Sequence, residues 1–185
     1  MTLLEESWSE LFVLCAIQWS LSTPERSSLF STDNFEVLSQ ESIVILRHLE
    51  LICDRFKNLH VNPAEFACLK AIVLFKPGRL RDFKRNLSEE SSFPDPLEIS
   101  TWWTLSETTG LKDKLQVENL QDQALLMLKS HIDANSPTNQ TRFSKLLLLL
   151  GHIRAGISDR IEKTFFENII GSAKMEKLLC DMFQT

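Results

Sequence analysis

Tyrosine is absent, and glycine and proline are scarce, five and six in 185 residues, about half the usual share. A β-sandwich needs frequent turn residues and a collagen-like chain needs periodic glycine, so the composition argues against both. Lysine and arginine form no long run, and the formal net charge is -5. That balance argues against a nucleic-acid domain, which shows a basic face to phosphate. The four cysteines, Cys15, Cys53, Cys68 and Cys180, include no C-x-x-C pair, which excludes a zinc finger within these residues. They read as free, reduced, buried thiols, with disulfide pairing as the alternative. The apolar run Leu11 to Ile17 is too short for a membrane span of ~20 residues. It follows Glu5, Glu6 and Glu10, where a signal peptide carries positive charge. Without such a peptide, the glycosylation-like triplets at Asn86 and Asn139 read as chance. The expectation is a soluble intracellular chain without membrane contact.

Catalytic signatures are missing as well. No G-x-S-x-G, P-loop or G-x-G-x-x-G occurs. His48, His60, His131 and His152 lack metal-ligand spacing and read as surface or satisfied core histidines. Glu5-Glu6 and Glu89-Glu90 are adjacent, which on a helix sends them to different faces. No catalytic residue, metal or cofactor is expected, and an enzyme is a distant alternative.

What is present is helical pattern in a chain of 43% hydrophobic and 24% charged residues, about one domain in size. Leu3–Leu21 opens with Leu4, Trp8, Leu11, Phe12 and Cys15 at helical steps, and its centre is apolar all round, which predicts burial on several sides. Pro24 ends it, and residues 25–39 read as a loop with a short hairpin. A second helix spans Glu41–His60 on Ile45, Leu49, Ile52 and Phe56. A third starts at the Asn62-Pro63 signal and runs to Lys76. Residues 77–110 break pattern with polar residues and prolines and read as a disordered insertion. Helix resumes over Lys112–Ala134 on Leu115, Leu120, Ala124, Leu128 and Ile132. A long helix over Asn139–Ile170, bent at Gly151 and Gly156, and a short amphipathic one over Lys174–Phe183 complete the chain. From pattern alone, that last helix caps the core or offers a mobile apolar face with one anionic marker.

Five segments then resemble nuclear receptor ligand-binding domains, in that family's order. Trp8-Ser9-Glu10-Leu11-Phe12-Val13-Leu14 is similar to its central helix, and Ala64-Glu65-Phe66-Ala67-Cys68-Leu69-Lys70-Ala71-Ile72 to a later one. Leu120-Gln121-Asp122-Gln123-Ala124 and Arg142–Leu150 follow, and Leu178–Phe183 resembles the activation helix. Ala16-Ile17-Gln18-Trp19, Thr164-Phe165-Phe166 and Cys180-Asp181-Met182-Phe183 look most like the tailless subfamily of orphan receptors, with its photoreceptor-specific and dissatisfaction relatives and the COUP group next nearest. The likeness covers nearly the whole chain apart from residues 77–109.

The resemblance implies an all-α helical sandwich, here an N-terminally truncated, partial ligand-binding domain over residues 1–185, since the chain starts at the central helix. It implies a nuclear transcription factor, mainly a repressor, that recruits an atrophin-type corepressor helix to a groove. The groove and activation-helix residues are Leu3, Glu5, Leu178, Leu179, Asp181, Met182 and Phe183. Asp181 stands where most receptors carry a Glu that clamps a peptide's amino end, and it is one methylene shorter. Glu5 sits at a rim position often basic in activating receptors, and reversed charge there favours a different partner. Trp8, Phe12 and Trp19 would line the pocket. Trp19 replaces the carboxylate-gripping Arg of retinoid-type receptors, which favours a filled pocket. The alternative is a domain regulated by a lipophilic ligand that binds LxxLL coactivators. Leu147, Leu148 and Arg154 mark the dimer helix, for a homodimer or receptor heterodimer. Glu65 and Arg142 match an interlayer salt bridge. DNA contact would come only through a domain outside this chain. A receptor-like fragment serving as a pure dimerisation partner is a further option.

Overall fold

The computed structural model describes residues 2–22, 30–32, 39–76, 114–154, 158–171 and 173–183. All of the insertion expected over 77–110, and most of the loop and hairpin expected over 25–39, lie outside them. Among the described residues the elements are helical, with no strand. They are α1 (Thr2–Ser22), α2 (Gln40–Asn58), α3 (Pro63–Leu74), α4 (Lys114–Asn135), α5 (Arg142–Arg154), α6 (Ser158–Ile161), a π-helical turn (Glu162–Phe166), α7 (Glu167–Ile170) and α8 (Met175–Phe183).

Helix α1 is the hub, touching α2, α3, α5, α6 and α8. Its apolar residues point all round, so most of them find cover: Trp8, Val13, Leu14, Ala16 and Ile17 are buried. Helix α3 lies between α1 and α4, and α2 packs along α5. The expected stripe on α2 is buried at Ile45, Leu49, Ile52 and Phe56, and Phe56 stacks on Phe66 of α3 at 5.5 Å. Burying side chains of this size contributes roughly 1.5–3 kcal/mol each.

Local chemistry sets the ends. Ser39 accepts the Ser42 N–H at 3.1 Å to start α2. Asn62 and Glu65 cap each other's backbone N–H at 2.9 Å with Pro63 in the first turn, which begins α3. Helix α2 closes with His60 in the left-handed region at φ 49. His60 N–H then reaches Lys57 O and Val61 N–H reaches Phe56 O, a pairing that satisfies terminal carbonyls. Gly171, at φ 61, ends α7.

Two expectations change. The buried face of α4 is Val117, Gln121, Ala124, Leu128 and Ile132, while Leu115 and Leu120 are exposed. Gln121 is polar and yet buried, and its amide donates to Ile72 O at 3.0 Å. A terminal carbonyl of α3 needs a donor from outside its own helix. The single helix expected over Asn139–Ile170 is instead α5 followed by α6, the π turn and α7. The bend expected at Gly156 lies outside the described residues. Cysteine burial is also uneven: no disulfide joins the four, Cys15 is exposed and only Cys53 is buried.

Candidate functional site

The first turns of α1 meet α8. Leu3 is half-buried, and its carbonyl accepts the Ser7 hydroxyl. Glu5, half-buried one turn in, accepts a hydrogen bond from the Cys180 thiol at 2.8 Å. That contact, more than the desolvation that accompanies it, holds the thiol's pKa above its ordinary value. At the other end of α8, the Met175 N–H donates to Glu162 Oε1 at 3.2 Å. Met175 and Leu179, one turn apart, pack against the core. Leu178 is half-buried, Asp181 is exposed, and Met182 is 75% exposed. The Phe183 side chain lies outside the described residues. The sequence reading placed the anionic marker at Asp181 but missed Cys180 and Glu162 as docking groups. No spacing rule links them to partners 175 and 13 residues away.

An aromatic cluster covers the next part of α1. The ring of Phe12 meets Phe165 at 5.4 Å and Phe166 at 5.1 Å, both edge-on. Trp8 meets Phe166 at 6.0 Å, and Phe30 meets Phe165 at 6.2 Å. The π turn carries both Phe165 and Phe166, so two adjacent residues contribute to one cluster. Trp8 and Phe12, two of the three residues expected to line a pocket, thus lie among other rings. Trp19, the third, is 45% exposed. It shares a helical face with Trp8 and Phe12, and Cys15 on the same stripe is exposed too.

Helix α5 sorts its leucines by face. Leu146, Leu149, Leu150 and Ile153 point inward. Leu147 is half-buried against the core, and Leu148 is 53% exposed. Beside Leu148 runs a groove of about 350 Å³ between α2 and α5, with Leu59 and Leu149 on its floor and Arg55 and Lys145 among its walls. His152 spans it, donating from Nδ1 to Leu148 O at 2.7 Å and accepting from Arg55 at Nε2 over 3.2 Å.

Arg154 departs from the expected dimer face. Its guanidinium turns inward and stands 3.6 Å from Glu10, whose carboxylate also holds Lys76 at 2.6 Å. Buried charge requires a partner, and Glu10 draws both cations in. Burial lowers the pKa of Lys76 and of Arg154, and Glu10 opposes the shift in each. A second ion pair is bidentate: Arg142 reaches Glu65 at 2.6 and 2.7 Å. Arg142 also donates to Leu59 O at 2.7 Å and His60 O at 3.2 Å, tying α5 to the end of α2. Burial pushes the Glu65 carboxyl up, but Arg142 and the Asn62 N–H reverse this, so its pKa falls.

Among the described residues, no cluster of three or more His, Cys, Asp or Glu could hold a metal ion. None of their helices is long and apolar enough to cross a membrane. The family described as the ligand-binding domain of nuclear hormone receptor matches residues 1–170. The chain belongs to this family. It is similar to the steroid receptor seven-up, isoforms B/C, of Drosophila melanogaster, 30% identical over 97% of the chain and 29% of that protein. It is likewise similar to nuclear receptor subfamily 2 group F member 5 of Danio rerio, at 31% over 97% of the chain and 39% of the relative. Group F member 6 of Mus musculus is 30% identical over 97% and 40% respectively.

The chain therefore spans less than half the length of these relatives. As a nuclear receptor ligand-binding domain it is a receptor module and not an enzyme, and its compartment is the nucleus. The all-α sandwich expected from the sequence is the fold observed. None of these three relatives carries a tailless name, so the finer subfamily assignment enters only as a proposal below.

Proposed function

We propose that this ligand-binding domain serves a tailless-like orphan receptor, acts mainly in repression, and recruits an atrophin-type corepressor helix to the face shared by α1 and α8. The observation that carries this reading is the docking of α8 on α1 through Leu179, Met175 and the Cys180–Glu5 contact. A helix seated there supports a domain held away from coactivators. Leu3, Leu178, Asp181, Met182 and Phe183 complete the proposed contact set. Helix α5 supplies the dimer seam, with Leu148 at its centre, Leu147 behind it, and the α2–α5 groove beside it. Arg154 supports the seam from inside. The partner is a second copy or another receptor, and DNA contact falls to a separate module.

Fluorescence anisotropy with labelled peptides tests the proposal. The domain should bind an atrophin-box peptide and prefer it to an LxxLL coactivator peptide. Preference for the coactivator peptide would overturn it.

One observation favours the lipophilic-ligand alternative. The indole N–H of Trp8, a residue only 7% exposed, meets no acceptor among the described residues, and a buried donor costs free energy until satisfied. A ligand carbonyl would satisfy it. The aromatic cluster at Phe12, Phe165 and Phe166 supports a filled pocket instead. Coactivator binding enhanced by a lipid extract would decide for the ligand.

A further inference from the structure

We infer that Glu5 is a latch for α8: its carboxylate holds the Cys180 thiol while Glu162 holds the opposite end, and together they keep α8 closed over α1. The inference rests on the reading of α8 as the regulatory helix and names what positions it. Helix α8 has nine residues, too few to persist without docking. Its apolar anchors, Met175 and Leu179, are its first and its central residue, and Met182 points into solvent. Polar contacts must therefore set how firmly the rest is held.

Glu162 meets the N-terminus, where an unpaired N–H and the helix dipole both favour an anion. Glu5 meets Cys180 near the C-terminal end. Hydrogen bonds to an ionised acceptor are stronger than neutral ones, and a half-buried carboxylate without a donor would be costly. Opening α8 thus uncovers an acid on the rim of the face it leaves. A peptide taking that face would compensate best with a donor or cation aimed at Glu5, which makes the same residue a specificity determinant.

Hydrogen exchange by mass spectrometry on the 185-residue chain tests this without any peptide. In Glu5→Ala and in Cys180→Val, amides of α8 should exchange roughly five-fold faster, the factor expected for one lost hydrogen bond. Cys180→Ser keeps a donor and should stay within about two-fold of the parent, given the modest net worth of such a bond. Protection in α3 and α4 should not change. If Glu5→Ala unfolds the domain as a whole, Cys180→Val decides. Unchanged α8 exchange in Cys180→Val, or a serine variant as fast as the valine one, would overturn the latch. Failure of corepressor binding alongside faster α8 exchange would instead sink the repressor reading and leave the latch standing.

Discussion

Arg142→Met should destabilise the domain by about 3–5 kcal/mol, the cost of breaking a buried ion pair from one side. The substitution keeps the apolar stem and removes the guanidinium. Four hydrogen bonds go with it: two to Glu65 at 2.6 and 2.7 Å, and one each to Leu59 O and His60 O. Glu65, whose side chain is 1% exposed, would keep only its cap on Asn62. Domains are stable by roughly 5–15 kcal/mol in total, so the loss is a large fraction. Urea unfolding followed by circular dichroism gives the number. Glu65→Gln with Arg142→Met should lose less than the two single changes added, because the double variant leaves no buried charge unpaired. A single-variant loss below about 1 kcal/mol, the worth of a surface pair, would refute the argument. The same pair predicts acid sensitivity. The Glu65 pKa is lower folded than unfolded, so its contribution is complete above the ordinary carboxylate range and is lost as pH falls through the folded value.

The charge cluster at Glu10 should respond asymmetrically. Glu10→Gln removes the carboxylate between Lys76 and Arg154 and should cost about 3 kcal/mol, whereas Lys76→Met leaves Glu10 paired with Arg154 and should cost less; chemical unfolding that ranks them the other way would count against the geometry. Leu148→Glu places a charge on a half-exposed site, so it should shift the domain toward monomer in sedimentation while changing stability by roughly 0.5 kcal/mol or less; an unaltered association state would move the seam elsewhere. Cys180 should alkylate more slowly with iodoacetamide than the exposed Cys15, because the Glu5 carboxylate beside it disfavours the thiolate. Glu5→Gln should speed Cys180 selectively, as read by peptide mapping, and an unchanged rate would argue that the thiol does not meet Glu5.

What the sequence disclosed followed from period and local chemistry, which depend on neighbours a few positions away. The α2 stripe and the Asn62-Pro63 start belong to that class. Gln121 shows what local pattern leaves out: the stripe expected on this helix omitted it, and a carbonyl 49 residues away accounts for its burial. Arg154 fails the same way, since position on α5 cannot reveal that Glu10 lies opposite. Trp19, given to a pocket by the resemblance alone, is 45% exposed, and its cover depends on neighbours that no spacing along α1 names. Glu5 was given a rim position only by the resemblance, and its contact with Cys180 was not legible, because that contact exists only once the two ends of the chain are brought together. A site built from such end-to-end contacts is visible only in the fold, which is why the α8 exchange experiment bears on it more directly than any further reading of the sequence.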